Sequence, residues 1–165
     1  GARLEIILQG EPNHDLAILN PAMTLPTLVD RDLVLHPASV VVEYLDERYP
    51  HPKMLPADPA ARARVRMAVQ RIEGDFFPLV PKILRGNADS KTARKLLGDH
   101  LLSSARMFPA RGWFMGLEYN LADCAWAVLF HHIAPLGLKL PADMEPMVRY
   151  AERLFGRPAF QRPLR

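Results

Sequence analysis

The cysteine and histidine residues of this 165-residue sequence are the first candidates for a nucleophile or a metal ligand. Cys124 is the single cysteine, and it lies in an apolar segment. Because a reactive thiol requires exposure and a lowered pKa, we interpret Cys124 as a buried structural residue. His131 and His132 are adjacent, so on a helix they project about 100° apart and cannot chelate one metal ion together. We therefore expect neither a metal site nor a cofactor.

Other motifs of catalysis are missing from the sequence. It contains no glycine-rich phosphate-binding loop and no Gly-x-Ser-x-Gly nucleophile elbow. One cysteine excludes an internal disulfide framework and fits a reducing compartment, so we expect a cytoplasmic protein. The residues alone thus provide no catalytic constellation.

Asn120 and Asp123 have the types and spacing of a helix capping box. The Asn120 side chain can cap the helix that follows, and Asp123 can accept a hydrogen bond from the Asn120 amide. The segment through His132 is apolar on nearly all sides, which indicates a buried helix. We interpret this pair as structural.

The segment Pro50-His51-Pro52 follows an amphipathic pattern that begins near Pro37. Proline suits the first turn of a helix, and two closely spaced prolines end one. Residues 50–59 contain prolines 50, 52, 56 and 59, which predicts a linker between two structural units.

The charge distribution also divides the chain. Residues 1–52 carry three basic and eight acidic side chains, a net charge of −5, whereas residues 53–165 carry a net charge of +8. No basic run is interleaved with aromatic residues, so direct sequence-specific binding of nucleic acid is not expected. No apolar run approaches the roughly 18 residues of a membrane-spanning helix, so no membrane association is expected.

Hydrophobic periodicity predicts a small α/β unit followed by helices. Residues 4–8 form a short β-type run, and residues 27–35 predict a hairpin with a turn at Asp30-Arg31-Asp32. The later helices are expected over residues 60–85, broken by Pro78 and Pro81, then 90–107, 120–132, 144–155 and from 157 onward. The predicted domains are 1–52, α/β, and 60–165, all-α.

Residues 20–30, Asn-Pro-Ala-Met-Thr-Leu-Pro-Thr-Leu-Val-Asp, and residues 41–50, Val-Val-Glu-Tyr-Leu-Asp-Glu-Arg-Tyr-Pro, resemble the glutathione transferase superfamily. The resemblance implies a thioredoxin-like N-terminal domain and an all-helical C-terminal domain. It also implies a cis peptide bond between Leu25 and Pro26, at the proline before the third strand. This sequence starts at the family's second strand, so we expect the first strand and helix, which carry the thiol-activating residue, to precede it.

The resemblance also places two residues at the family's glutathione site. Transferases hold the γ-glutamyl carboxylate with Glu or Gln followed by Ser, and those positions here are Pro37 and Ala38. Neither side chain can form a hydrogen bond, and Pro37 lacks an amide N–H. We therefore treat Leu25, Pro26, Pro37 and Ala38 as a vestigial site.

Within that superfamily, the chain resembles the stringent starvation protein A family at residues 26–33, residues 43–52, Arg71-Ile72-Glu73 and Asp123-Cys124. These bacterial proteins associate with RNA polymerase. The resemblance implies a non-catalytic regulator that binds the holoenzyme with its housekeeping sigma factor through Pro50, His51 and Pro52. We expect Tyr44 to pack beneath that motif, and the chain to form a homodimer. One alternative is a glutathione transferase or a glutathione-dependent isomerase, and another is a stress-related protein that does not contact the polymerase.

Overall fold

The computed structural model describes residues 18–21, 26–138 and 142–161. The chain divides into two compact units, Gly1–Pro52 and Lys53–Arg165. The strand predicted over residues 4–8 lies outside the described residues, as does the peptide bond between Leu25 and Pro26.

The first unit contains the predicted hairpin. Strands β1 (Leu28–Asp30) and β2 (Leu33–Leu35) pair antiparallel, with Val29 opposite Val34. A two-residue turn joins them, and Arg31 takes a left-handed conformation there, with φ of 57°. The hairpin prediction is therefore confirmed.

Helix α1 (Ala38–Arg48) follows the hairpin. Pro37 was expected in the first turn of this helix, but it lies one residue before that turn, as the N-cap. Its backbone is extended there, with ψ of −175°. The peptide bond between His36 and Pro37 is cis. The Pro37 carbonyl accepts hydrogen bonds from the next turn, with 3.0 Å to the Val40 nitrogen. The helix ends at Arg48, before the prolines, as the sequence predicts.

The second unit is helical throughout its described residues, apart from the turns and loops between helices. Its α-helices are α2 (Pro59–Arg71), α3 (Leu79–Leu84), α4 (Ala88–Ser104), α5 (Leu121–Ile133), α6 (Glu145–Phe155) and α7 (Pro158–Gln161). A π-helical turn spans Ile72–Phe76, and short 3₁₀ turns cover Ala105–Met107, Ala134–Leu136 and Ala142–Met144.

The long helix predicted over residues 60–85 is divided, as expected, but the division starts before its prolines. The π-helical turn already changes the backbone at Ile72. Pro78 lies between this turn and α3, and Pro81 is the third residue of α3. The missing N–H of Pro81 has little cost because the first N–H groups of a helix have no acceptor within it.

Residues 53–58 belong to the second unit and contact its helices, whereas the sequence assigns them to a linker over residues 50–59. Leu55 is buried. The Leu121 amide donates to the Met54 carbonyl at 3.1 Å, and the Arg62 guanidinium donates to two carbonyls of the same segment. The helices that follow donate hydrogen bonds to carbonyl groups of residues 53–58, and these bonds hold the segment in place.

An aromatic cluster fills the core of the second unit. Its rings lie 4.8–6.4 Å apart between centroids, a separation typical of edge and offset packing. The members are Phe76, Phe108, Phe114, Trp126, Phe130 and Tyr150. On α4, Leu97 and Leu101 are fully buried, whereas Leu96 and Leu102 face solvent.

Within the described ranges, every helix falls short of the length and hydropathy needed to cross a bilayer.

Candidate partner-binding surface and glutathione-site positions

Pro50, His51 and Pro52 form a tight turn directly after α1. The His51 amide donates to the Tyr49 carbonyl at 2.8 Å, which closes the turn, and the bond between His51 and Pro52 is cis. His51 and Pro52 are exposed, and Pro50 is half-buried. The turn therefore presents the imidazole and a proline ring to solvent.

Tyr44 has a different contact from the expected one. Its hydroxyl donates to Asp30 Oδ2 at 2.5 Å, which fastens α1 to strand β1. This hydrogen bond is the main reason why the pKa of the Tyr44 hydroxyl is raised. The contact makes Tyr44 a structural link between the hairpin and α1, and its role beneath residues 50–52 stays a prediction.

Sequence reasoning missed Tyr49 and Arg48 at this surface. Tyr49 is 51% exposed, and the Arg48 guanidinium lies 5.7 Å from the centroid of its ring. The sequence signal that could have identified this surface is an aromatic residue between the end of a helix and a proline. We call residues 48–52 the turn surface; it combines a cation, two rings that can form hydrogen bonds and two rigid prolines.

The positions of the vestigial glutathione site offer few polar groups. At the start of α1, no side chain caps the helix, because Pro37 and Ala38 cannot accept a hydrogen bond. Ser39 is one position further along the helix and half-buried. Pro26 is exposed, whereas Leu25 and the predicted cis bond lie outside the described residues.

Asn120 and Asp123 form the reciprocal contacts expected of a capping box. Asn120 Oδ1 accepts from the Ala122 amide at 2.9 Å, and Asp123 Oδ2 accepts from the Asn120 amide at 2.8 Å. Both side chains are buried. The Asn120 amide group also donates to the Phe114 carbonyl at 2.7 Å, which ties the preceding loop to the helix start.

Asp123 has further partners that spacing alone did not predict. Its Oδ1 accepts hydrogen bonds from the Phe114 amide at 2.8 Å and from the hydroxyl of Tyr150. Burial raises the pKa of the Asp123 carboxyl, and these hydrogen bonds act in the opposite direction. The group thus joins the 113–116 loop, α5 and α6, and it is structural.

Cys124 is half-buried beside Tyr119, with 3.4 Å between its sulfur and the Tyr119 hydroxyl oxygen. Burial raises the pKa of this thiol, which lowers its thiolate fraction at neutral pH. The residue was expected to be fully buried and is only half-buried, and its contact with Tyr119 fits a structural role.

Two arginines that sequence reasoning missed hold the loop before α5. The Arg157 guanidinium lies 3.7 Å from the ring centroid of Tyr119 and 5.1 Å from that of Trp113. Arg153 donates to the carbonyls of Gly112 and Pro109, each at 3.0 Å. Such cation–π and carbonyl contacts fix the loop geometry.

His131 and His132 are exposed at the end of α5, with ring centroids 5.5 Å apart. Among the described residues, no three His, Cys, Asp or Glu side chains are grouped so that they could hold a metal ion.

No protein-family model matches the chain. Five relatives at 36–41% identity are described as stringent starvation protein A homologs. The one from Coxiella burnetii is 40% identical over 155 residues, which cover 93% of this chain and 74% of the relative. The chain belongs to the stringent starvation protein A family.

Members of the stringent starvation protein A family are not the only relatives of this chain. The maleylacetoacetate isomerase of Pseudomonas aeruginosa is 31% identical over 154 residues, which cover 87% of this chain and 72% of the isomerase. A solved glutathione S-transferase from Rhodospirillum rubrum superposes with a TM-score of 0.78 at 26% identity, covering 91% of this chain and 74% of that one. The glutathione transferase-like fold predicted from the sequence is therefore confirmed.

Proposed function

We propose that this chain is a non-catalytic, cytoplasmic regulator of bacterial transcription in the stringent starvation response. It acts by binding the RNA polymerase holoenzyme that contains the housekeeping sigma factor. The turn surface, residues 48–52, makes the contact. The observation that carries this proposal is the exposure of His51 and Pro52 in a chain of the stringent starvation protein A family.

The chemistry of the turn surface suits a protein partner. Prolines restrict the backbone before binding, which reduces the entropy lost on association. Tyrosine and arginine are the residue types most often found at energetic hot spots, and Tyr49 and Arg48 supply both. The Tyr44–Asp30 hydrogen bond holds α1 against the hairpin, so the turn projects from a fixed helix end.

Two observations favour a non-catalytic role. Pro37 and Ala38 stand where transferases hold the γ-glutamyl carboxylate, and neither side chain can form a hydrogen bond to it. Cys124 is half-buried with a raised pKa, so it is a poor nucleophile. The proposed role therefore requires that the chain bind the polymerase, and it does not require the chain to catalyse a reaction.

The second candidate is a glutathione-dependent isomerase or transferase. The 31% identity with a maleylacetoacetate isomerase supports it. A glutathione-dependent isomerase or transferase activity of the purified protein would support this candidate, and its absence would count against it.

The sharpest test replaces His51 alone. His51→Ala removes an exposed ring but keeps both prolines and the backbone amide that closes the turn. We expect capture of sigma-containing holoenzyme to weaken about thirtyfold, as for a hot-spot residue. The free energy of unfolding should change by less than about 0.5 kcal/mol, as for other exposed positions.

A triple change to alanine at Pro50, His51 and Pro52 extends the test. It should abolish capture and cost at most about 1 kcal/mol of stability, mainly through proline entropy. The matched control replaces three exposed lysines of the second unit, Lys82, Lys91 and Lys95, and should bind as the parent does. Stable variants that bind holoenzyme like the parent would remove the turn surface from the mechanism.

A further inference from the structure

The helical hairpin of α3 and α4 carries a concentrated positive charge. Residues 82–95 contain five basic side chains and a single acidic one, Asp89. All five basic residues are exposed, and we call them the basic hairpin surface. They are Lys82, Arg85, Lys91, Arg94 and Lys95. The Ser90 hydroxyl donates to the Ile83 carbonyl at 3.1 Å, which holds the start of α4 against the end of α3.

Three of these residues lie along one side of α4. Lys91, Arg94 and Lys95 are three and four positions apart, so they are neighbours on the surface of the helix. Lys91 and Lys95 are separated by a rise of about 6 Å along the helix axis. Leu97 is fully buried and marks the side that faces the core. Asp89 projects about 160° away from Lys91, so it does not interrupt the row of cations.

The cations of this surface have no acidic partner in the part of the chain that the structure describes. Asp99 lies four positions after Lys95, but no ion pair joins the two side chains. The Arg94 guanidinium donates to the Leu136 carbonyl at 2.7 Å, and a neutral carbonyl leaves its charge in place. The positive charge is therefore open to a partner from outside.

This arrangement is unfavourable for α4 itself. Lys91 and Lys95 form a like-charge pair one turn apart, and such pairs destabilise a helix. Lys91 also lies at the end of the first turn, where a cation opposes the helix dipole. A bound polyanion would offset both effects.

The residue types favour a nucleic acid over an acidic protein surface. Three of the five cations are lysines, and lysine is depleted at protein–protein interfaces. Contacts to the phosphates of DNA are, in contrast, made largely by lysine and arginine, and they supply affinity that is independent of sequence. Five cations spread over two helices also suit an extended polyanion better than one small anion.

We propose that the basic hairpin surface binds the phosphate backbone of duplex DNA without reading its sequence. The choice of duplex DNA rests on the proposed function, since a chain bound to RNA polymerase is held beside the promoter. Lys91, Arg94 and Lys95 form the centre of the contact, and Lys82 and Arg85 extend it at the end of the hairpin. This contact adds a second attachment to the promoter complex, separate from the turn surface.

The test is a titration of a labelled duplex of about 30 base pairs with the full-length protein, without polymerase, followed by fluorescence anisotropy. We expect a Kd below about 100 µM at 50 mM KCl, within the range of non-specific binding. Four phosphate contacts give a slope of about −3.6 for log K against log salt, at about 0.9 per contact. A duplex of unrelated sequence should bind equally, because phosphate contacts carry no sequence information.

A pair of substitutions, Lys91→Gln with Lys95→Gln, removes two charges from the surface. This lysine variant should bind DNA at least about tenfold more weakly at 50 mM KCl, with a slope reduced by about 1.8. The matched control, Arg106→Gln with Arg111→Gln, removes the same charge from two exposed residues outside the hairpin and should keep the parent's slope. The Tm of the lysine variant should be unchanged or slightly higher, because a like-charge pair is lost.

Four results would overturn the proposal. The first is absence of DNA binding by the parent at 50 mM KCl. The second is an equal loss in the lysine and arginine variants, which would show that affinity follows net charge alone. Tighter binding of a single-stranded RNA of the same length would overturn the choice of DNA. Loss of capture of DNA-free holoenzyme by the lysine variant would assign the surface to an acidic protein.

The DNA titration and the polymerase capture fail independently. The titration contains no polymerase, so a negative result there leaves the proposed role of the turn surface standing. His51→Ala, which should weaken capture of the holoenzyme, should leave the DNA affinity and its salt dependence as in the parent.

Discussion

The hydroxyl of Tyr150 donates a hydrogen bond to the carboxylate of Asp123, which lies 27 positions earlier in the chain. Tyr150 is fully buried and belongs to α6, whereas Asp123 lies in the first turn of α5. The same carboxylate accepts from the amides of Phe114 and Asn120. One side chain thus satisfies three buried donors from three parts of the second unit.

Replacement of Asp123 by alanine should severely destabilise the protein. It leaves these three donors without an acceptor, which costs about 3–5 kcal/mol in the free energy of unfolding. Urea denaturation followed by circular dichroism measures this. Asp99→Ala, at an exposed position of α4, is the control and should change stability by no more than about 0.5 kcal/mol. Equal losses in the two variants would contradict the assigned role of Asp123.

Cys124 should react slowly with iodoacetamide in the native protein. Burial raises its thiol pKa, so the thiolate fraction at pH 8 is smaller than in a free cysteine, and access is reduced as well. We expect labelling to be clearly slower than that of the denatured chain, because both the thiolate fraction and the access to the sulfur are reduced. Mass spectrometry over time measures both rates. A native rate that equals the denatured rate would identify an accessible thiol.

Glutathione should bind weakly. Without side-chain hydrogen bonds at Pro37 and Ala38, calorimetry should give a Kd above about 0.1 mM, corresponding to less than about 5.5 kcal/mol of binding free energy. The double change Pro37→Gln and Ala38→Ser restores two hydrogen-bond donors of the transferase pair and should tighten binding about tenfold or more. Tight binding by the parent, or no gain in the double variant, would count against this assignment of the site.

The chain should form a homodimer in which the first unit of one copy meets the helices of the other. The units carry net charges of −5 and +8, which favours such cross-pairing. Apolar burial should supply most of the energy, so added salt should weaken the dimer only slightly. Sedimentation velocity at micromolar concentration tests this, and a monomer there would refute it.

Much of the local structure followed from the sequence because neighbouring residues decide it. The hairpin over residues 28–35 depends on a short polar turn between apolar runs. Asn120 and Asp123 contact each other because residues three positions apart lie close together at the start of a helix. Helix α1 ends before Pro50 because the proline ring cannot continue a helix.

Only the tertiary structure decided which distant groups meet. Nothing in local spacing places Arg153 at the Gly112 carbonyl, 41 positions away, or brings the Leu121 amide to the Met54 carbonyl. The indole N–H of Trp126, which has no hydrogen-bond acceptor among the residues that the structure describes, is likewise visible only when the whole core is packed around it. The reason is physical: helix and turn patterns depend on contacts within a few residues, whereas burial and long-range hydrogen bonds depend on how complete elements pack together.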